Sequence, residues 1–393
     1  MPEAVIVAAA RTAVGTAGKG TLTETEPADL AQPVIEELIK RAKLKPEEID
    51  DLILAESMYG GGVIGRYVAV KAGMNDVPGQ AVNRHCASSL ASISNAAAGV
   101  RSGNDDIIIA GGVTSGSLTP MTVKRTAGTQ DWEQGWLSPS HPDRDDAPNR
   151  DMSITVGWNT AQICGFSREE IDAWAFRSHQ RAIAAIDAGN FKEEIVPLTV
   201  TNKDGETVVF DTDEHPRRET TMEKLGSLKV LHPEIEGFSI TAGSASGSND
   251  AAAGVVVMSD EVAAAKGLKP LAKVLSWASV GVDPYETGMA PVKAIPKALA
   301  KAGLSVDQVD LMEVNEAFAP VPMAVEQKLG FSGDKINISG SGCSIGHPIA
   351  ASGARMITTL IYDLRRQGGG IGVASMCAGG GMAQAVVIEV PAP

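Results

Sequence analysis

Two cysteines, a histidine and an asparagine stand in settings that suit thiol and carbonyl chemistry. Cys86 lies in NRHCASSL at 83–90, among small polar residues just ahead of an amphipathic helical segment. The unpaired N–H groups and the dipole at a helix N-terminus favour a thiolate, which makes Cys86 a candidate nucleophile; a buried structural cysteine is the alternative. His347 lies in SGSGCSIGHPIAASGAR at 339–355, between a glycine-rich approach and a small-residue helix start, where backbone and ligand can come close; taken singly, it suits a structural role as well. Cys377 opens CAGGG at 377–381, directly after the strand-like IGVASM, and the N–H groups of its glycines, Gly379 among them, suit an oxyanion. Asn315 in NEAFAP ends the apolar run VDLMEV, where an asparagine either holds a water or substrate oxygen or forms a turn.

The elements that must carry these residues alternate in type. Short β-branched runs (AVIVAAA, DLILAES, DIIIAGG at 106–112) are interleaved with Ala-rich helical stretches near Asp29–Ala42 and after Cys86, the pattern of an α/β layered fold. After Cys86, Leu90, Ile93, Ala97 and Val100 fall on nearly one helical face, and Gly103 with Asn104 closes the helix. A similar block recurs late in the chain. Met356, Ile357, Leu360, Ile361 and Leu364 form a helical face, followed by RRQGGG and the strand IGVASM, which suggests two related halves. Between them, residues 118–247 are polar and proline-punctuated, with WLSPSHPDRDDAPNRD as the clearest loop. Within that stretch Ser167 and Glu170 form a capping box. ITAGSASGSNDAAAGVVVMS then returns to the strand style, so the insertion is expected to leave and rejoin one domain.

Composition narrows the function classes. A chain of 393 residues implies two or three packed units, and 44% hydrophobic with 21% charged residues is ordinary for a folded globular protein. No apolar run reaches the ~20 residues of a membrane span. The net charge of −14 opposes broad attraction to nucleic acid or anionic membrane, so an anionic ligand needs a local basic site. The 42 glycines are dispersed rather than periodic, which fits tight turns. The N-terminal order of charge and apolarity reverses that of a secretory signal, and four widely spaced cysteines without a CxxC pair fit a reducing cytoplasm. His141, His179, His215 and His232 are scattered and His85 flanks Cys86; no metal cluster emerges, and structural or surface roles are expected for all five. Cys164 and Cys343 read as apolar fillers, with Cys343 near enough in sequence to His347 to line its pocket.

Together, in this order and at these separations, NRHCASS, NEAFA, GHPIAASGAR and CAGGGMAQA resemble the nucleophile, asparagine, histidine and second-cysteine motifs of the thiolase family over essentially the whole chain. EEIVP, DEHPRRETTMEKL and TAGSASGSND resemble the family's loop domain. The resemblance implies a thiolase fold, two related half-domains in five α-β-α-β-α layers. Residues 1–117 with 248–268 would form the N-terminal half, 118–247 the inserted loop domain, and 269–393 the C-terminal half. It implies a CoA-dependent thiolase that cleaves 3-oxoacyl-CoA reversibly to acetyl-CoA, or a related short acyl-CoA, plus a shortened acyl-CoA, or runs the reverse condensation, through an acyl-Cys86 intermediate. His347 would take the Cys86 proton and Cys377 would act as the second acid/base. An Asn315-held water with His347 would stabilise the enolate, and the N–H groups of Cys86 and Gly379 the tetrahedral oxyanion. Coenzyme A enters as substrate with no permanently bound cofactor. Its nucleotide end would meet Arg217, with Arg218, Lys224 and Lys229 adding charge nearby, and its pantetheine arm Ser246. A homodimer or homotetramer is implied.

Departures from the family pattern cluster near substrate-facing positions. Asp151 stands where histidine is frequent and Thr287 with Gly288 replaces a methionine–glycine pair, while Ala87, Ser89, Ala350 and Ala383 replace glycines. The alternatives are a condensing synthase of the same fold, against which the second cysteine argues, and a non-catalytic acyl-CoA- or lipid-binding relative, against which the complete motif set argues.

Overall fold

The computed structural model describes residues 2–59 and 61–392. The first half runs β1 (Ala4–Arg11), β2 (Gly15–Thr16), α1 (Pro27–Arg41), β3 (Asp51–Ala55), α2 (Ile64–Lys71), β4 (Gly79–Val82), α3 (Ser88–Ser102) and β5 (Ile107–Ser115). An insertion follows with β6 (Val123–Arg125), β7 (Trp132–Gln134), a π-helical stretch (Ser153–Trp158), α4 (Asn159–Cys164), α5 (Arg168–Asp187), β8 (Leu198–Thr201), β9 (Thr207–Phe210) and α6 (Met222–Gly226). The chain then continues through β10 (Asn249–Ser259), α7 (Asp260–Ala265), β11 (Ala272–Gly281), α8 (Ala290–Lys301), β12 (Leu311–Val314), α9 (Pro320–Leu329), α10 (Ser352–Arg366), β13 (Gly370–Ala378) and β14 (Met382–Val390).

One ten-stranded sheet carries the fold as two topologically matched halves, here the first and second sheets. In the first, β4, β3 and β5 run parallel, and β10 and β1 add antiparallel. In the second, β12 and β13 run parallel, and β14 and β11 add antiparallel. The counterpart of β4 is reduced to one parallel bridge, Met312 with Ile336. The sheets touch edge to edge where β1 meets β11 at Val5–Lys273 and Ile6–Ala272. Strand β10 pairs with β5 along its length, from Asp250–Ser115 to Met258–Ile107, so the segment between them leaves and returns to neighbouring strands.

Three apolar cores separate five layers. One lies between α1 and the outer face of the first sheet, using Leu30, Val34, Leu38, Ile107, Ile109 and Val256. A second lies between the sheets, where α3 and α10 pack against Ile108, Val257, Ala374 and Ile388. The third lies between the second sheet and α8 and α9, through Ile295, Leu299, Val321, Val373 and Val387. Adjacent strand residues thus serve opposite cores, as the two-residue period of a strand requires. Strands covered on both faces read as continuous apolar runs, which accounts for AAAGVVVM in β10.

The central helices depart from the one-face expectation. Every residue of α10 from Ser352 to Leu364 is buried, Arg355 and Asp363 included, and so is α3 from Ser88 to Ser94. α10 has no solvent face over this stretch, whereas α3 keeps an exposed edge at Asn95, Ala98 and Ser102; small residues allow the approach. A Cβ on Gly353 would stand 2.6 Å from the Leu90 nitrogen, so only glycine lets the two helices meet this closely. The insertion is tied to the first half by Arg11, fully buried, whose Nε donates to Glu194 at 2.7 Å and whose terminal nitrogens donate to Asp213 at 2.7 and 2.9 Å. Among the described residues no helix is long and apolar enough to cross a membrane.

Candidate active site

The chain leaves β4, turns sharply at Asn83–His85 and enters α3, and Cys86 sits at that turn. Ser88 clamps it: its hydroxyl lies 2.7 Å from Ser57 Oγ and 2.5 Å from the His85 carbonyl, and it accepts the Arg84 N–H at 2.7 Å. The N–H groups of Gly379 and of Cys86 itself both point at the Cys86 sulfur. The expected lowering of the Cys86 pKa is not found. Burial outweighs these N–H groups and pushes the thiol up to about 11, because a thiolate between packed layers loses its hydration.

Cys377 is the penultimate residue of β13, buried and paired in register with Ala383 of β14, and after Ala378 the chain turns through Gly379. Burial, with the nearby Cys86, holds its thiol well above the ordinary value. Thr287 steadies this glycine turn: its hydroxyl accepts the Gly381 N–H at 3.0 Å and donates to the Pro284 carbonyl at 2.6 Å. The departure at 287 therefore carries a positional function that its residue type did not announce.

His347 precedes α10. Its N–H donates to Asn249 Oδ1 at 2.9 Å, and its ring is bounded by Ser352 Oγ, 2.6 Å from Nδ1, and by the Asn315 amide nitrogen, 3.3 and 3.4 Å from the ring nitrogens. Burial, reinforced by the positive Arg355, lowers its pKa to about 4, so the ring is a neutral proton acceptor at physiological pH. Asn315 follows β12, fully buried, with its side chain on the imidazole, and its Oδ1 is a buried acceptor with no partner among the described residues. That orphaned oxygen suits a held water. Below it, Glu316 accepts from Trp174 Nε1, Ser178 Oγ, Asn337 Nδ2 and the Cys343 N–H at 2.6–3.1 Å, fixing the NEAFA and SGSGC loops against the insertion.

The helix starts bring the two motifs to one end of the central layer. Ser89 Oγ, in α3, accepts the Ala354 N–H of α10 at 3.0 Å, and Ala350 N–H donates to Thr114 at 2.7 Å. Ser89, one of the replaced glycines, thus bonds the nucleophile helix to the histidine helix. Cys343 is buried beside the NEAFA loop and Cys164 packs on Met289, so both act as fillers. The Ser246 N–H donates to the Ala317 carbonyl at 2.9 Å, which sets TAGSASG beside NEAFA. Arg217 stands apart from this cluster, exposed on the insertion, with its own N–H donated to His179 Nδ1 at 3.1 Å; Arg218 is engaged with Asp187. Asp151 accepts from Ser153 and pairs with His232 at 2.9 Å at the start of the π-helical stretch.

The sequence motifs assign no role to Asn249, Glu316 or Ser352, and they mark Thr287 only as a departure from the family pattern. Glu316 and Ser352 lay within quoted motifs, but nothing in their spacing announced their partners. His141 and His179 are buried rather than superficial.

A family model described as the N-terminal domain of thiolase matches residues 4–261, and one described as the C-terminal domain matches 268–390. An acetyl-CoA acetyltransferase of Syntrophomonas wolfei is 42% identical, with 98% of this chain and 99% of that one covered. A β-ketoadipyl-CoA thiolase of Acinetobacter baylyi is 40% identical, covering 99% and 100%. Among solved structures, the Bacillus anthracis acetyl-CoA acetyltransferase superposes with a TM-score of 0.90 at 38% identity, covering 99% of each chain. Human mitochondrial 3-ketoacyl-CoA thiolase superposes at 0.91 and 33%, covering 100% and 99%.

Proposed function

The chain belongs to the thiolase family and is an acyltransferase acting on CoA thioesters, and from that premise we propose that Cys86, His347, Cys377, Asn315 and Gly379 carry its chemistry. The observation that supports this most directly is the Gly379 N–H aimed at the Cys86 sulfur with the second thiol, Cys377, alongside. In the cleavage direction the Cys86 sulfur bonds to the 3-keto carbon of a 3-oxoacyl-CoA while its proton passes to His347. With the thiol at about 11 and the imidazole at about 4, no thiolate–imidazolium pair rests in the free enzyme. Proton transfer accompanies attack, as the charge gathers on an oxygen held by the Cys86 and Gly379 N–H groups. The bond to the acetyl-CoA fragment then breaks. His347 and a water on Asn315 hold the enolate oxygen, and Cys377 gives its proton to the carbon. Free CoA gives its thiol proton to the Cys377 thiolate and attacks the acyl-cysteine; Cys86 leaves and recovers its proton from His347. Condensation runs the same steps backwards, with Cys377 taking the α-proton of acetyl-CoA.

Arg217 is assigned to the nucleotide phosphates and Ser246 to the pantetheine arm. Residues 118–247 are assigned as the CoA-facing insertion between the halves 1–117 with 248–268 and 269–393. We further propose a homodimeric or homotetrameric cytoplasmic enzyme.

The test separates the two cysteines. Cys377→Ala should still gain an acyl adduct at Cys86 from a simple acyl-CoA, yet lose most deuterium exchange into acetyl-CoA in heavy water and most carbon–carbon cleavage; Cys86→Ser should lose both. Near-wild-type exchange in folded Cys377→Ala, or adducts mapping only to Cys164 or Cys343, overturns the assignment.

A further inference from the structure

A second imidazole stands immediately before the nucleophile. The His85 backbone is left-handed at φ 46°, uncommon for a residue other than glycine, and is fixed by its hydrogen bonds. Its N–H donates to Asn83 Oδ1 at 2.9 Å, and its carbonyl accepts from Ser57 Oγ at 3.0 Å, Ser88 Oγ at 2.5 Å and the Ser88 N–H at 3.1 Å. A strained conformation held this firmly aims a side chain rather than closing a loop. The ring is half-buried, and among the described residues His85 makes hydrogen bonds only through its backbone. Burial lowers its pKa, so the ring is neutral and offers one N–H and one lone pair.

The ring borders the acyl site. A Cβ built on Gly379 would stand 3.8 Å from His85 Cγ, 3.5 Å from Ser140 Cβ and 3.7 Å from Ser140 Oγ, so His85 and Ser140 flank the turn that presents the Gly379 N–H. Ser140 has a defined polarity. Its Oγ lies 2.8 Å from His141 Nδ1, and His141 Nε2 lies 2.8 Å from the Ala147 carbonyl. A carbonyl only accepts, so Nε2 carries the proton, and in that tautomer Nδ1 takes the Ser140 hydroxyl proton. Ser140 Oγ therefore shows the neighbouring space lone pairs alone, on the same glycine turn as the His85 ring, which has no hydrogen-bond partner among the described residues.

We infer that His85 and Ser140 are specificity-determining residues that select 3-oxoacyl groups bearing a hydroxyl over plain alkyl chains. This rests on the assignment of Cys86 and Gly379 as the pair that holds the acyl group. A hydroxyl accepts from the His85 N–H and donates to Ser140 Oγ, meeting both needs at once. An alkyl chain covers the imidazole nitrogens without a partner, which costs free energy, and a carboxylate confronts the Ser140 lone pairs.

The experiment compares thiolysis of 3-oxohexanoyl-CoA and 3-oxo-6-hydroxyhexanoyl-CoA by wild type, His85→Leu, His85→Asn and Ser140→Ala, with acyl adducts mapped by mass spectrometry on the same samples. Wild type should favour the hydroxylated substrate in kcat/KM by about tenfold. That ratio should fall towards one in His85→Leu and in Ser140→Ala. It should be partly restored in His85→Asn, which keeps a donor and tolerates a left-handed backbone. If His85→Leu does not fold, Ser140→Ala carries the same ratio. Acylation at Cys86 with no wild-type preference, or with a preference unchanged in the variants, overturns this inference alone. Adducts that map away from Cys86 overturn the assignment beneath it as well.

Discussion

Replacing Gly353 by alanine tests whether the spacing of the two central helices sets the active-site geometry. The new Cβ would lie 2.6 Å from the Leu90 nitrogen, 2.7 Å from Leu90 Cγ and 3.0 Å from Ser89 Oγ, where ordinary contact begins at 3.4 Å. Relief requires α3 and α10 to part by about 0.8 Å, the difference between 3.4 and 2.6 Å. α10 is buried from Ser352 to Leu364, so it cannot yield without disturbing its neighbours. Overpacking of this kind costs roughly 1–3 kcal/mol, enough to lower the unfolding temperature by a few degrees. The kinetic consequence is larger. Cys86 lies just before α3 and His347 just before α10, and the Ser89–Ala354 hydrogen bond at 3.0 Å joins the two starts. A displacement approaching 1 Å at reacting groups costs about 100-fold in rate. Rapid-quench mass spectrometry of Cys86 acylation, beside thermal unfolding, reads both effects. Gly226→Ala, whose Cβ meets nothing within 4 Å, serves as the control. Acylation within threefold of wild type in Gly353→Ala would show that this spacing does not govern the chemistry.

Because burial holds His347 at about 4, the base stays unprotonated until well below the usual histidine range. The acylation rate should therefore hold down to about pH 5 and fall only below it, and an acid limb centred near 6.5 would contradict the assignment. Arg11→Met leaves Glu194 and Asp213 as buried carboxylates without their cation, at a cost of about 3–5 kcal/mol. Early proteolysis within 193–218 should accompany a lowered unfolding midpoint, and an unchanged midpoint would remove Arg11 as the anchor. Arg217 is exposed, so Arg217→Ala should raise KM for acyl-CoA only two- to fivefold or so, more than it lowers kcat, with the gap shrinking in high salt. Equal effects on dephosphorylated and intact CoA substrates would argue against a phosphate contact.

Much of this protein is legible without coordinates. The capping box at Ser167 and Glu170, the left-handed Gly103 that ends α3 and the strand ahead of Cys377 all stand where the sequence places them. Each depends on residues within a few positions of one another, so local pattern suffices. The reactive residue types sit in short motifs for the same reason. The interior decided the rest. The periodicity of α10 marks one apolar face, and its burial all round from Ser352 to Leu364, like that of the first turns of α3, comes from a second sheet built by residues far away in sequence. The Cys86 pKa shows the same limit: its helix start points to a lowered value, but the sign is set by desolvation, which sums over every layer packed against the sulfur. The partners of Glu316, the anchoring of the glycine turn by Thr287 and the apposition of His85 with Ser140 join segments whose order along the chain says nothing of their distance. Sequence determined which groups are present and which elements bear them; tertiary packing alone determined which groups meet and in what protonation state.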